Sequence, residues 1–385
     1  MKDTILIIDF GSQVTKLIAR RIREFGVFSQ IIPYHLLKEK DLQVNQVKGI
    51  IFSGGPNSVD EKFAPEVPKF IYNLKIPILG ICYGLQLICK NFGGNVYQST
   101  QREFGKTFLK IKKKSLLFGR TFKNNKSYQV WMSHSDAVKK LPKDFESIAS
   151  SDNCESAVIE NKKKKIYGVQ FHPEVVHTFK GEVILKNFVE IICKCKKKWN
   201  MKNFKEQIIK SIQQNVGDNN VLCGLSGGVD STVTAVLVHE AIGDRLKCLY
   251  VDTGLMRMNE TESIKKLFRE NFNIKLDIVN AEKIFLKELS RIIDPEKKRK
   301  IIGKQFIKVF EKYSKKQKNI KFLAQGTLYP DVIESSSNMG DKSVTIKSHH
   351  NVGGLPKKIK FKLLEPLREL FKDEVRKLGK ELKIP

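Results

Sequence analysis

The sequence predicts an α/β protein of two doubly wound domains, each with a largely parallel central sheet flanked by helices. Apolar runs alternate with amphipathic stretches through the first half, and the alternation restarts after a polar, Lys-rich stretch near residue 199. Several apolar runs end in glycine-rich turns that lead directly into helical spacing. Strands separated by helices argue for a parallel sheet. Residues 5–10 read as a strand, 13–25 as a helix with basic residues outward, 49–52 and 77–81 as strands, and 85–91 as a helix. Shorter β-rich pieces follow at 107–112, 157–160 and 166–171. The stretch 193–203 reads as a polar hinge and places the domains at 1–198 and 199–385. Beyond it, 204–215 is an amphipathic helix, 220–225 a strand, 231–242 a helix, 247–252 a strand, 261–271 a helix and 275–279 a strand. The halves share a fold class but no repeated motif.

Composition narrows the classes. A chain of 385 residues with 41% hydrophobic residues can bury more than one core, which excludes fibrous and wholly disordered proteins. No apolar run approaches the roughly 18 residues of a membrane helix. The start, ILIIDF after one Lys, reads as a buried strand rather than a signal peptide. Seven scattered cysteines without a Cys-x-x-Cys pair support neither a disulfide framework nor a zinc knuckle, and point to a reducing, cytoplasmic location. The net charge is +29, yet only 12 of the 70 basic residues are Arg, the residue that duplex readers and phosphate clamps favour. The Lys excess reads as a solvated surface that attracts anionic nucleotides, with no nucleic-acid or membrane partner expected.

The segment Gly80-Ile81-Cys82-Tyr83-Gly84 joins an apolar run to a helical one. A sharp strand-to-helix turn presents a nucleophile in a strained backbone, and the helix N-terminus favours the thiolate. Alone, Cys82 reads more readily as an inert buried thiol. Downstream, His172-Pro173-Glu174 ends a strand-like run. In extended backbone, residues two apart share a face. Glu174 would hold one imidazole nitrogen of His172 while the other meets the thiol, the nucleophile–base–orienter arrangement. After the strand at 49–52, Ser53-Gly54-Gly55-Pro56 offers backbone N–H groups to an oxyanion, or is an ordinary turn.

These three pieces together, in this order and spacing, resemble the class I glutamine amidotransferases over about residues 1–195. The resemblance implies that Cys82 attacks the glutamine amide, that His172 and Glu174 complete the triad, and that Gly54 and the Tyr83 N–H form the oxyanion hole. It places Gln86 and the segment from Trp131 to Asp136 in the glutamine pocket. Ser135 stands where relatives more often carry Gly, with only a local backbone change expected.

In the second half, Ser226-Gly227-Gly228-Val229-Asp230-Ser231-Thr232 lies between a strand and a helix. Such a turn aims backbone N–H groups at one anion, and Asp230 can face a phosphate-bound Mg²⁺. A P-loop is excluded, because the one GK[ST] string, Gly105-Lys106-Thr107, would need Gly where Thr100 stands. No GxGxxG follows a strand. SGGVDS resembles the pyrophosphate-binding loop of the ATP pyrophosphatases, which cleave ATP between the α- and β-phosphates. Further segments are the VDTGLMR from Val251, the DPEKKRKIIG from Asp294, FLAQGTLYPDVIES at 322–335, IKSHHNVGG at 346–354 and EPLRELFKDEVRKLG at 365–379. Each resembles the glutamine-hydrolysing GMP synthases. The resemblance implies ATP and Mg²⁺ as cofactors, and a mobile lid at 297–300 in which Arg299 contacts the nucleotide substrate. It implies adenylation of xanthosine 5′-monophosphate and displacement of AMP by ammonia made at Cys82. His349 and His350 receive no catalytic role. Family members continue into a further domain that completes the acceptor site and pairs subunits as homodimers. The 385 residues are therefore expected to be a fragment or truncated form that hydrolyses glutamine, binds ATP, stays mainly monomeric and makes little GMP.

Two other readings remain. A glutaminase fused to a different adenylating domain, such as one acting on tRNA, fits the Lys excess. It lacks the paired cysteines of thiolation chemistry and an aromatic-rich RNA platform. A non-catalytic nucleotide-binding regulator is disfavoured because the whole triad and the whole of SGGVDS are present.

Overall fold

The structure is a computed structural model that describes residues 2–43, 46–257, 259–317, 319–337 and 360–385. The chain divides into two compact units, Met1–Trp199 and Asn200–Pro385.

In the first unit the strands are β1 (Asp3–Asp9), β2 (Phe28–Pro33), β3 (Gln46–Phe52), β4 (Ile78–Ile81), β5 (Asn95–Ile111), β6 (Ser127–Lys140), β7 (Glu146–Ser150), β8 (Val158–Asn161) and β9 (Ile166–Val169). They form one nine-stranded sheet in the order β2-β1-β3-β4-β9-β8-β7-β5-β6. From β2 to β9 the pairings are parallel. From β9 to β6 they are antiparallel. The sheet is thus mixed. The physical reason is the connection between β8 and β9, which is far too short for the crossover a parallel pair needs. In the parallel half, Ile5 to Ile8 of β1 and Ile50 to Phe52 of β3 have 0% exposure, because helices cover both faces of such strands. The C-terminal ends of β1, β3, β4 and β9 lie side by side, and the turns that follow all three thiol-half motifs open from that one edge.

The stretch 193–203 is not an exposed hinge. Cys193, Cys195 and Trp199 are buried. The Lys196 N–H donates to Asp3 Oδ2 at 2.8 Å, and the Trp199 N–H to the Gly26 carbonyl at 2.8 Å. The Trp199 ring packs on Phe28 with centroids 4.7 Å apart. Alternation of Lys with buried apolar side chains, invisible to a count of charges, accounts for the difference. Asn200 then caps the helix Met201–Val216, its Oδ1 accepting from the Asn203 N–H at 2.9 Å.

The second unit has β10 (Asn220–Leu225), β11 (Leu246–Asp252), β12 (Leu276–Asn280), β13 (Ile320–Ala324) and β14 (Lys362–Leu364). All pairings are parallel, in the order β12-β11-β10-β13-β14. The order reverses between β10 and β13, and ligands of open α/β sheets bind at that switch point. Residues 294–303, expected as a basic loop entering a helix, are already helical from Pro295, within Pro295–Lys316. Asp294 Oδ1 accepts from the Lys297 N–H at 2.7 Å, Pro295 occupies the first turn, and Glu296 faces the helix N-terminus. These capping signals outweigh the charge run. The IKSHHNVGG segment, with His349 and His350, lies outside the described residues.

Two candidate active sites

Cys82 stands between β4 and the helix Tyr83–Asn91 with φ +51° and ψ −106°. A non-glycine residue there is strained, and such strain persists only where the surroundings enforce it. Here the Cys82 N–H donates to the Val169 carbonyl at 2.8 Å, and its own carbonyl accepts from Leu85 and Gln86 at 3.0 and 3.2 Å. The flanking glycines are steric requirements. A Cβ on Gly80 would lie 2.5 Å from the Gly84 backbone, and one on Gly84 would lie 2.5 Å from the Phe52 carbonyl.

His172 sits in a turn beyond β9 rather than on a strand, since Pro173 lacks the N–H to continue a ladder. Its Nδ1 is 2.8 Å from Glu174 Oε1 all the same, with both side chains buried. Burial alone would lower the imidazole pKa. Hydrogen bonds and charges from Cys82 and Glu174 outweigh burial, and His172 is pushed up to about 10. The residue is locked from behind. Its N–H donates to the Trp131 carbonyl at 3.0 Å, and Thr178 Oγ1 donates to the His172 carbonyl at 2.7 Å while accepting from the Trp131 N–H at 3.1 Å.

Gly54 belongs to the same constellation. A Cβ there would lie 3.2 Å from His172 Cε1 and 3.7 Å from Cys82 Cβ. Ser53 fixes the preceding turn, its Oγ accepting from the Phe10 N–H at 3.0 Å and donating to the Gly54 carbonyl at 2.7 Å. Tyr83 opens its helix, where N–H groups lack intrahelical acceptors. Gln86 is buried, and its Nε2 donates to the Asp136 carbonyl at 2.9 Å and lies 3.5 Å from Gln170 Oε1. It meets the thiol through Gln170, whose Nε2 is 3.6 Å from Cys82 Sγ. The Ser133 carbonyl is 3.5 Å from the same sulfur. Gln170 and Thr178 carry no sequence signal of their own beyond neighbouring the motifs, whereas Ser133 lies in the Trp131–Asp136 segment.

In the second unit a cavity of about 480 Å³ opens at the switch point. Ser226, Gly228, Asp230 and Ser231 line one end, and Leu249, Val251, Phe306 and Phe310 form an apolar wall. Ser226 Oγ and Ser231 Oγ are 3.1 Å apart, and the Ser231 and Thr232 hydroxyls each donate to the Gly228 carbonyl at 3.0 Å. Gly228 caps the helix that starts at Val229, so the loop N–H groups and the helix N-terminus face the same anion site. Gly227 has φ +74°, and a Cβ there would lie 2.7 Å from Ile264 Cδ1. Both Asp230 oxygens accept from Lys372 Nζ at 2.6 Å. Lys372 begins the helix Lys372–Glu381 and was not singled out in the sequence. Arg299 lines the cavity as a helical residue, its Nη2 donating to Glu296 Oε2. Asp230 is the one carboxylate on the cavity wall, and no group of three or more His, Cys, Asp or Glu gathers among the described residues.

Residues 6–192 match the family model of glutamine amidotransferase class-I, and residues 201–309 that of NAD synthase. The chain is therefore a class I glutamine amidotransferase joined to a unit of the ATP pyrophosphatase type. The GMP synthase [glutamine-hydrolyzing] of Bartonella henselae is 55% identical over 383 residues, covering 100% of this chain and 74% of its own length. That of Brachyspira hyodysenteriae is also 55% identical with the same coverage, and that of Clostridium botulinum is 53% identical over 384 residues. The chain belongs to the glutamine-hydrolysing GMP synthase family, ATP-dependent ligases with glutamine as nitrogen donor. No helix among the described residues is long and apolar enough to cross a membrane.

Proposed function

We propose that Cys82, His172 and Glu174 carry out glutamine hydrolysis and that the SGGVDS loop holds the triphosphate of ATP. The observation that carries the first half is the strained Cys82 elbow facing a His172 already paired to Glu174 at 2.8 Å. The Cys82 thiolate attacks the carboxamide carbon, and the N–H groups of Gly54 and Tyr83 receive the developing oxyanion. Imidazolium His172 gives its proton to the departing ammonia. It then takes a proton from water, which attacks the thioester and releases glutamate. Glu174 keeps the imidazolium stable and oriented throughout.

In the second unit the loop N–H groups and the hydroxyls of Ser226, Ser231 and Thr232 hold the β,γ-phosphates. The apolar wall takes the adenine. Lys372 and Arg299 supply positive charge, Arg299 toward the acceptor nucleotide. Asp230 fits Mg²⁺, an ion that uses one or two carboxylates plus phosphate oxygens and water, provided Lys372 moves from Asp230 to phosphate. When bound, Mg²⁺ would neutralise phosphate charge. Xanthosine 5′-monophosphate attacks the α-phosphate through O2 and releases pyrophosphate, and ammonia then displaces AMP to give GMP. All seven cysteines are free thiols, in keeping with a cytoplasmic location.

A panel of acceptors, assayed for conversion of ATP to AMP with ammonia present, tests this reading. Stimulation by xanthosine 5′-monophosphate supports it, and stimulation by tRNA alone overturns it. Sedimentation of the same protein reads its oligomeric state, for which a monomer is proposed.

A further inference from the structure

A second buried His–carboxylate pair lies in the first unit, outside the triad. His134 on β6 and Glu103 on β5 are register partners, each 4% exposed. His134 Nε2 is 3.1 Å from Glu103 Oε2, and Nδ1 is 3.0 Å from the Asp136 carbonyl. Glu103 Oε2 also accepts from Ser151 Oγ at 2.9 Å. A carbonyl can only accept, so Nδ1 carries a proton. A single shared proton closes the second bond, between Nε2 and Glu103 Oε2, whichever of the two atoms holds it.

The pair sits where the β5–β6 register shifts. The β5–β6 register passes from Gln98↔Asp136 to Glu103↔His134, so residues 99–102 stand against Ser135 alone. Such a bulge interrupts pairing and re-aims the strand. This stretch of β6 is also the one that meets the thiol: the Ser133 carbonyl is 3.5 Å from Cys82 Sγ. The Asp136 carbonyl that His134 holds is the one that Gln86 holds at 2.9 Å. His134 thus spans the gap, with residues of the glutamine site on either side of it.

We propose that His134 and Glu103 form a buried, hydrogen-bonded histidine–carboxyl clip that positions residues 133–136 against Cys82 for glutamine binding. It rests on the assignment of Cys82 as the nucleophile. Neither side chain touches the reacting atoms, so both are positioning residues.

Two measurements on the 385-residue protein test it. Selective ¹⁵N labelling of histidine should show His134 protonated at Nδ1, the nitrogen that faces the Asp136 carbonyl. A bare Nδ1 would overturn the clip, whatever any variant does. Kinetics then separate positioning from folding. Glu103→Ala should raise KM for glutamine roughly tenfold to a hundredfold, with a smaller change in kcat, because small misplacements cost about that much. Glu103→Gln leaves a neutral His134 able to donate through Nδ1 and accept through Nε2, so it should stay within about threefold of the parent. Glu103→Ala with unchanged KM, or Glu103→Gln as impaired as Glu103→Ala, would overturn positioning. Cys82→Ala distinguishes failure of the underlying reading. If it keeps hydrolysing glutamine, the nucleophile is misassigned and the clip falls with it.

Discussion

Around Cys82 the polar atoms are tied to distant parts of the first unit. Val169, Ser133 and Gln170 all reach Cys82, and Trp131 and Thr178 grip His172. In the nucleotide cavity the hydroxyls of Ser226, Ser231 and Thr232 bond within their own loop, and Asp230 bonds Lys372. The contrast follows from the chemistry. Nucleophilic attack needs a fixed approach before substrate arrives, so the partners belong to the fold. Phosphate binding needs donors that can be handed over, so the hydroxyls bond within their own loop and Asp230 holds a long, movable Lys372 side chain.

The largest test of that contrast is Cys82→Ala. Glutamine hydrolysis should fall by several orders of magnitude while ATP affinity, measured by calorimetry, stays unchanged. Loss of both activities would mean that the two sites are not separable. Next come the other triad members. His172→Ala should cost more turnover than Glu174→Gln. With His172 pushed up to about 10, its imidazolium persists to alkaline pH, so the alkaline limb set by it lies near pH 10. Glu174→Gln removes a charge that favours the imidazolium, and the limb should move down by about a unit or more. A limb that stays put would leave Glu174 without its assigned part.

At the exchangeable site, Asp230→Asn and Lys372→Met should each weaken Mg²⁺-ATP binding by roughly tenfold, the scale of a charged hydrogen bond. The double variant should lose more than the sum, since ATP binding breaks the Asp230–Lys372 pair and each single variant already spares that cost. Additive losses would show that the two side chains act apart. Gly227→Ala should also weaken binding, through strain at φ +74° and contact with Ile264 rather than through contact with phosphate. The smallest effect is expected for Thr178→Val, which removes one hydroxyl bridging His172 and Trp131 at about 1 kcal/mol. A fall in glutamine turnover of about fivefold would match that energy.

The triad was legible because its residues form short contiguous strings, GICYG and HPE, whose local geometry states their chemistry. The phosphate loop was legible for the same reason. Thr178, Gln170 and Lys372 were not. Each matters only through a strand pairing or helix placement far along the chain, as Lys372 reaches Asp230 across 142 positions. The antiparallel half of the first sheet was hidden because β8 and β9 read as separate short pieces, and only the tight link between them sets their direction. The basic stretch at 297–300 misled in the opposite way. The helix it enters starts earlier than its charge suggests, because Asp294 and Pro295 set the helix start ahead of the Lys run.

The φ of +51° at Cys82 gives the first unit a memory of its work. A backbone in that conformation suits glycine better than any residue with a side chain, by about 1 kcal/mol or more. Cys82→Gly should therefore melt higher than Cys82→Ala, although neither can attack glutamine. Stability alone would therefore place glycine at position 82, and only the chemistry of a thiol argues for the residue that stands there.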